Sequence, residues 1–305
     1  MENYDIIIIG AGPAGLTAGI YAGRQGSKSL ILEKSVSGGL GLEIPSMENY
    51  PGFELVSGLV LMTKIKQQAQ KFTELRENEA VGNIVKIENG FEISTTKRRY
   101  FAKAIILAMG KKHRKLDVTG EKEFSGLGVS YCATCDGIFF KNKKVIIVGG
   151  GNSSLQEAIF LDNLGVDVTI VHRREKFRAE QYLQERIKNE NIKTIFNSEV
   201  KEIKGDKTVK SVVLEDNKGK QRTMEIDGIF VTIGSLPMIE LAKNLNIDLN
   251  NDNQIITNKK QKTNIPFIYA AGDIAGGLQQ LVVACGEGAI AATSAYNDLE
   301  NRTKI

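Results

Sequence analysis

The sequence predicts an α/β protein in which one dinucleotide-binding βαβ unit is inserted into another, and three observations predict it. The segment "YDIIIIGAGPAGLTAGIYAGRQGSKSLILEKS" reads as strand, glycine turn, helix and strand, and "KKVIIVGGGNSSLQEAIFLDNLGVDVTIVHRR", from residue 143, repeats that layout. The turn glycines Gly10 and Gly149 are far too widely spaced for a solenoid repeat, so each opens a crossover of its own. The tail has a strand and a helix but no nucleotide turn, so it is expected to return to the first unit.

Between the two units, "SGLVLMTKIKQQAQKFTELR" has helical spacing, while "AVGNIVKIEN", "GFEISTT" and "YFAKAIILAMG" read as strands from alternating or continuous apolar runs. After the second unit, "KTIFNSEVKEIKG", "VKSVVLED" and "MEIDGIFVTIG" repeat the strand pattern. "NIPFIYAAGDIAGG" ends a strand at a loop, and "LQQLVVACGEGAIAATSAYNDLE" reads as a last helix. The expected division is residues 1–113 with 241–305 as one domain and 114–240 as the inserted one, with Gly and Pro of "GSLPMI" at the second crossing.

Composition excludes several classes. A chain of 305 residues, 42% hydrophobic and 25% charged, can bury a large core. Its net charge of +4 is small, and basic and acidic residues interleave, so neither nucleic acid nor a membrane surface is expected as partner. The compact basic run "KKHRK", 111–115, reads as a solvated linker. No stretch approaches ~20 apolar residues, and the start runs straight into a strand, which points to the cytoplasm.

Gly10, Gly12 and Gly15 form G-x-G-x-x-G, which permits a tight turn, close approach of a pyrophosphate and helix–strand contact. Glu33 ends the next strand, where an acid accepts ribose hydroxyls. The second loop has Gly149 and Gly151 but Ser154 at the third position. Where an NAD site would carry an acid, "HRREKFR" offers His172, Arg173, Arg174 and Arg178, which suit a dianionic 2′-phosphate and hence NADPH.

"SYCATCDGIFF", residues 130–140, spaces Cys132 and Cys135 as C-x-x-C with Asp136 behind them. Two Cys supply half a tetrahedral zinc site, and Cys285, His113 and His172 form no matching half. A staple across so short a loop would restrict the unfolded chain little. Structural disulfides are rare in a reducing compartment, so a working redox pair is the starting hypothesis. Cys285 reads as a small buried helix residue.

With these motifs in this order, and with "GGLGLEIPSMENYPGF", "CATCDG", "GGGNSS", "HRREKFR" and "AAGD", the chain resembles the low-molecular-weight thioredoxin reductases over nearly its whole length. The resemblance implies two Rossmann-like domains of three-layer ββα form, an NADPH domain inserted into an FAD domain. It also implies a homodimer, and thioredoxin or a similar small dithiol protein as partner. FAD would lie on Gly10, Gly12, Pro13, Ala14, Gly15, Glu33, Gly39, Leu40, Asn49, Gly110, Gly272, Asp273 and Gln280, with Asp273 at the ribityl chain. NADPH would lie on Gly149, Gly151, Asn152, Ser153, Ser154, His172, Arg173, Arg174 and Arg178. In that family Cys135 faces the flavin, Cys132 attacks thioredoxin, and Asp136 handles the proton. No metal is implied. Leu40, Met109 and Gln279 stand where the family usually has Gln, Thr and Arg.

The pair precedes "KKVIIVGGG" closely, so it belongs with the NADPH unit. A domain carrying both disulfide and nicotinamide must present them to the flavin in turn, which implies rotation at the crossings. Some relatives take electrons from ferredoxin or reduced deazaflavin, but they tend to lack the second glycine loop and the HRRxxxR set. A dithiol oxidase, or a nucleotide-binding sensor without turnover, are the readings of other classes.

Overall fold

The computed structural model describes residues 1–190 and 192–303. Contacts divide the chain into two compact units: Met1–Leu42, Met47–Lys112 and Pro237–Ile305 form one, Glu43–Ser46 and His113–Leu236 the other. The second unit interrupts the first.

The first unit opens with β1 (Glu2–Ile9), α1 (Pro13–Arg24), β2 (Ser29–Leu32), α2 (Gly58–Ala69), β3 (Glu74–Arg76), β4 (Val81–Ile87), β5 (Gly90–Thr95) and β6 (Arg99–Leu107). They form one sheet in the order β3-β2-β1-β6-β5-β4. The pairs among β3, β2, β1 and β6 are parallel, and β4 and β5 continue antiparallel. The run Ile6 to Ile9 is buried on both faces, as a central parallel strand requires. The predicted helix from 57 stops at Ala69, and "ELR" becomes β3. Pairing with the edge of β2 overrides the helical spacing of those residues.

β7 (Lys111–His113) spans the crossing into the second unit, which holds β8 (Val129–Ser130), α3 (Ala133–Asp136), β9 (Lys144–Gly149), α4 (Asn152–Asn163), β10 (Asp167–Val171), α5 (Gln181–Asn189), β11 (Lys193–Ile195), β12 (Ser198–Gly205), β13 (Val209–Asp216), β14 (Gln221–Glu225) and β15 (Gly228–Thr232). A parallel sheet runs β11-β10-β9-β15-β8, and an antiparallel one β12-β13-β14. Alternation along β9 builds three layers. Val145 and Ile147 pack with Leu155, Ala158 and Leu183 of the helices, whereas Ile146 and Val148 pack with Val200, Ile203 and Val212 of the antiparallel sheet. "KTIFNSEVKEIKG" is two strands, because Asn197 adopts φ +51° and breaks the run.

The basic run at 111 is not an irregular linker: β7 pairs with β16 (Ser235–Pro237) at the return crossing. The chain then adds α6 (Glu240–Asn244), β17 (Ile268–Ala270) and α7 (Leu281–Thr303) to the first unit. β17 pairs in parallel with β6, and α7 packs against α1. No helix among the described residues is long and apolar enough to cross a membrane.

Candidate functional site

In the first unit, the C-terminal ends of β1, β6 and β17 lead into Gly10, Gly110 and Gly272, all at positive φ. A crevice beyond the carboxyl ends of parallel strands is where open α/β sheets bind ligands. A Cβ on Gly10 would strike the Ala108 carbonyl, and one on Gly15 the Gly10 carbonyl, so both glycines are dictated by protein–protein contact. Gly12 differs: a Cβ there would meet nothing within 4 Å, so its space is open to an approaching group. It caps α1, with Pro13 in the first turn.

Glu33 is tied to this loop. Its carboxylate accepts the Ala11 amide at 2.8 Å and the Ser35 amide at 3.0 Å. Gly39 lies against Gly12, 3.4 Å from its Cα when given a Cβ, in the short turn Gly39–Glu43 that also holds half-buried Leu40. Asn49 Nδ2 donates to Gln280 Oε1 at 3.0 Å. Gly272 N–H donates to Glu287 Oε2 at 2.7 Å, and a Cβ on Gly288 would strike the Ala14 carbonyl, which brings α7 onto the glycine loop. Burial pushes the Asp273 carboxyl up against the pull of Lys111. Burial raises Glu287 as well, opposed by the Gly272 amide and reinforced by Asp273. Glu33, Gly39 and Gly272 thus lie against the glycine loop or the start of α1, and sequence reasoning missed Glu287. Its signal was an acid between two glycines in the otherwise apolar first half of the last helix.

The second loop repeats the logic with other atoms. A Cβ on Gly149 would strike Ser154 and Thr232, whereas Gly151, which caps α4, has open space. Ser154 is fully buried and donates to the Thr232 carbonyl at 3.2 Å. Asn152 bonds Glu180 twice, donating to its carboxylate at 2.7 Å and accepting its amide at 2.8 Å, while Ser153 is exposed.

The "HRREKFR" residues divide. His172 is 5% exposed, packs under Gly150 and between Phe177 and Phe196, and burial followed by Arg178 lowers its pKa. Its position supports the loop. Arg173, Arg174 and Arg178 are exposed and join no salt bridge among the described residues. The Arg178 amide donates to the Gly150 carbonyl at 2.8 Å, which holds this segment to the glycine loop.

The same unit carries the cysteines. Cys132 and Cys135 are joined as a disulfide, with Cα atoms 5.4 Å apart. Cys132 caps α3, its Sγ accepting the Cys135 amide at 3.1 Å. Cys132 is 8% exposed, whereas Cys135 is exposed. Asp136 accepts from Ser130 Oγ at 2.6 Å, and that hydroxyl also accepts the Cys132 amide at 3.1 Å. Ser130 therefore links Asp136 to the turn, a role the sequence did not suggest. Ile138 and Phe139, next along the chain, are 58% and 69% exposed. Cys285 lies on α7 and is half-buried rather than buried; the Tyr50 hydroxyl donates toward its Sγ, 3.9 Å away.

Comparison with known proteins places this geometry. Residues 4–288 match the pyridine nucleotide-disulphide oxidoreductase family. A thioredoxin reductase of Listeria monocytogenes is 42% identical over 97% of this chain and 94% of that protein. One from Bacillus subtilis is also 42% identical, over 97% of this chain and 95% of its own. The crystal structure of T. acidophilum thioredoxin reductase is 39% identical, superposes with a TM-score of 0.94, and covers 98% of this chain and 100% of that one.

Proposed function

The chain belongs to the pyridine nucleotide-disulphide oxidoreductase family, among its thioredoxin reductases, and from that premise we propose that it passes electrons from NADPH through FAD and the Cys132–Cys135 disulfide to thioredoxin or a similar small dithiol protein. The observation that carries the proposal is one unit holding a disulfide turn together with a glycine loop and three exposed arginines that join no salt bridge among the described residues. The fold supplies a second glycine loop in the other unit, so a flavin and a pyridine nucleotide each have a cradle.

The residues fit both groups. Gly12 and Gly151 leave room for a pyrophosphate, and Glu33 lies beside the first loop to meet a ribose. We assign FAD to the unit of Gly10, Asp273 and Gln280, and NADPH to the unit of Arg173, Arg174 and Arg178. Bound FAD would supply the two-electron exchange between a hydride donor and a disulfide. The disulfide accepts two electrons and one proton, its S–S bond breaks, and one thiolate and one thiol result. We assign Cys135 to the flavin side. Cys132 is then the thiolate that attacks the partner's disulfide, with the Cys135 amide stabilising its charge. Asp136, hydrogen-bonded through Ser130 to the turn, is placed to deliver the proton that completes the partner's dithiol.

Exposed Ile138 and Phe139 beside the pair favour a protein substrate over a small polar disulfide. Family membership supports a homodimer working in the cytoplasm. The test is anaerobic: flavin-loaded protein is mixed with NADPH, NADH, reduced deazaflavin or reduced ferredoxin, each with several thioredoxins. NADPH alone should bleach the flavin and reduce thioredoxin. Bleaching by ferredoxin or deazaflavin but not NADPH would reject the donor, and thiol-driven peroxide formation without NADPH would favour an oxidase.

A further inference from the structure

Beneath the redox turn, α4 carries an acid that the steps above do not use. Glu157 follows Ser154 by three residues and precedes Leu161 by four, so it lies on the buried stripe of α4 and is 6% exposed. The turn is pressed onto that stripe: Ala133 is fully buried, and a Cβ on Gly137 would come within 2.6 Å of Leu161. The amide of Ala133, the residue after Cys132, donates toward Glu157, while Glu157 Oε2 has no partner among the described residues.

Among the described residues no basic side chain pairs directly with this carboxyl. β9 and β10 pack on α4 through Val145, Ile147, Val168 and Ile170, and α5 through Leu183 and Ile187. On α3 the ionisable groups are Asp136, bonded to Ser130, and the cysteines once reduced. Among the described residues the charged side chain that acts on Glu157 is Glu43, an acid whose Oε2 lies 2.7 Å from His113 Nε2. Burial first and Glu43 second push Glu157 up to about 8, against the pull of the Ala133 amide.

We propose that Glu157 is a positioning residue for the redox pair, holding the Ala133 amide and binding a proton whenever the pair carries a thiolate. Reduction breaks the S–S bond with two electrons and one proton, leaving one thiol and one thiolate. Where Glu157 is already ionised, its carboxylate takes up one further proton from solvent, because a buried carboxylate bonded to the Ala133 amide repels an anion on the adjoining turn. Linkage is reciprocal, so an ionised Glu157 disfavours reduction of the pair by the same factor. The inference rests on the proposed function only for the source of the electrons, and the test replaces that source.

Flavin-loaded wild type and Glu157→Gln are equilibrated with dithiothreitol from about pH 6.5 to about 9.5, and Cys132 and Cys135 are read by alkylation. Below about pH 8 the two midpoint potentials should run parallel. Above it, the wild-type equilibrium constant for reduction should fall a further tenfold per pH unit relative to the variant, about 30 mV. Parallel lines throughout would overturn the proposal. Should Glu157→Gln not fold, the wild type decides: its reduced-minus-oxidised infrared spectrum at about pH 9 should gain a protonated carboxyl band that shifts on ¹³C-labelling of glutamate, and no such band overturns it. Dithiothreitol sets the potential, so a protein that behaves this way yet does not oxidise NADPH rejects the donor and keeps the inference.

Discussion

Ser154 Oγ lies 2.9 Å from Thr232 Oγ1 and 3.2 Å from the Thr232 carbonyl, joining the start of α4 to the end of β15. A third glycine would bring helix and strand together by absence of a side chain; here a buried hydroxyl does it by bonding. Ser154→Ala leaves that carbonyl without its donor, at a cost of ~1–3 kcal/mol. Urea unfolding followed by circular dichroism measures it, and an unchanged midpoint would mean the bond contributes nothing.

The glycines of the first loop should separate by role. Gly15→Ala drives a Cβ into the Gly10 carbonyl and should destabilise the protein by roughly 1–3 kcal/mol or more. Gly12→Ala meets no protein atom, so it should fold normally and lose flavin, whose pyrophosphate needs that space. A yellow Gly12→Ala protein with wild-type flavin affinity would show that nothing approaches there.

The arginines should read the 2′-phosphate. Each charged hydrogen bond contributes ~1.5–3 kcal/mol, so Arg173→Ala/Arg174→Ala should lose on the order of 3 kcal/mol, over a hundredfold in kcat/KM for NADPH. NADH, which lacks the phosphate, should change little, and flavin absorbance not at all. Equal losses with both coenzymes would contradict the assignment.

The two cysteines should differ spectroscopically. Cys132→Ser leaves Cys135 as a lone thiolate on the side of the oxidised flavin and should give long-wavelength charge-transfer absorbance, which Cys135→Ser should lack. Both variants should stop reducing thioredoxin. The opposite spectra would exchange the roles, with exposed Cys135 as the attacking thiol.

Glu77 should govern part of the acid limit. Burial opposes its ionisation, but Lys66 at 2.7 Å and the Ser37 amide at 2.7 Å outweigh that and hold it down to about 2 from 4.5. A depressed carboxyl contributes stability that is present above pH 4.5 and is lost as pH falls toward 2. The side chain is 27% exposed, so solvent screening limits the contribution to ~1 kcal/mol or less. Denaturation of wild type and Glu77→Gln should differ near neutrality and converge in acid; a gap independent of pH would assign the effect to packing instead.

What the sequence determined by itself was whatever is local in period or spacing. Alternation and apolar runs located the strands, Gly10 to Gly15 and Gly149 to Gly151 marked the turns, and the absence of a third turn led to the expectation that the chain returns to its first unit. C-x-x-C spacing alone left metal, staple and redox pair open, and the motif order around it, not the spacing, selected the redox reading. Tertiary structure decided what depends on neighbours far along the chain. It made "ELR" a strand by offering the edge of β2, and it buried His172 beneath Gly150 while leaving Arg173, Arg174 and Arg178 outside. It also set Glu157 against the Ala133 amide of the redox turn. In sequence Glu157 is one acid among the 36 Asp and Glu residues of the chain, and only packing against α3 removes it from water and counter-charge. Burial and charge are sums over neighbours in space, and no single chain order reveals them.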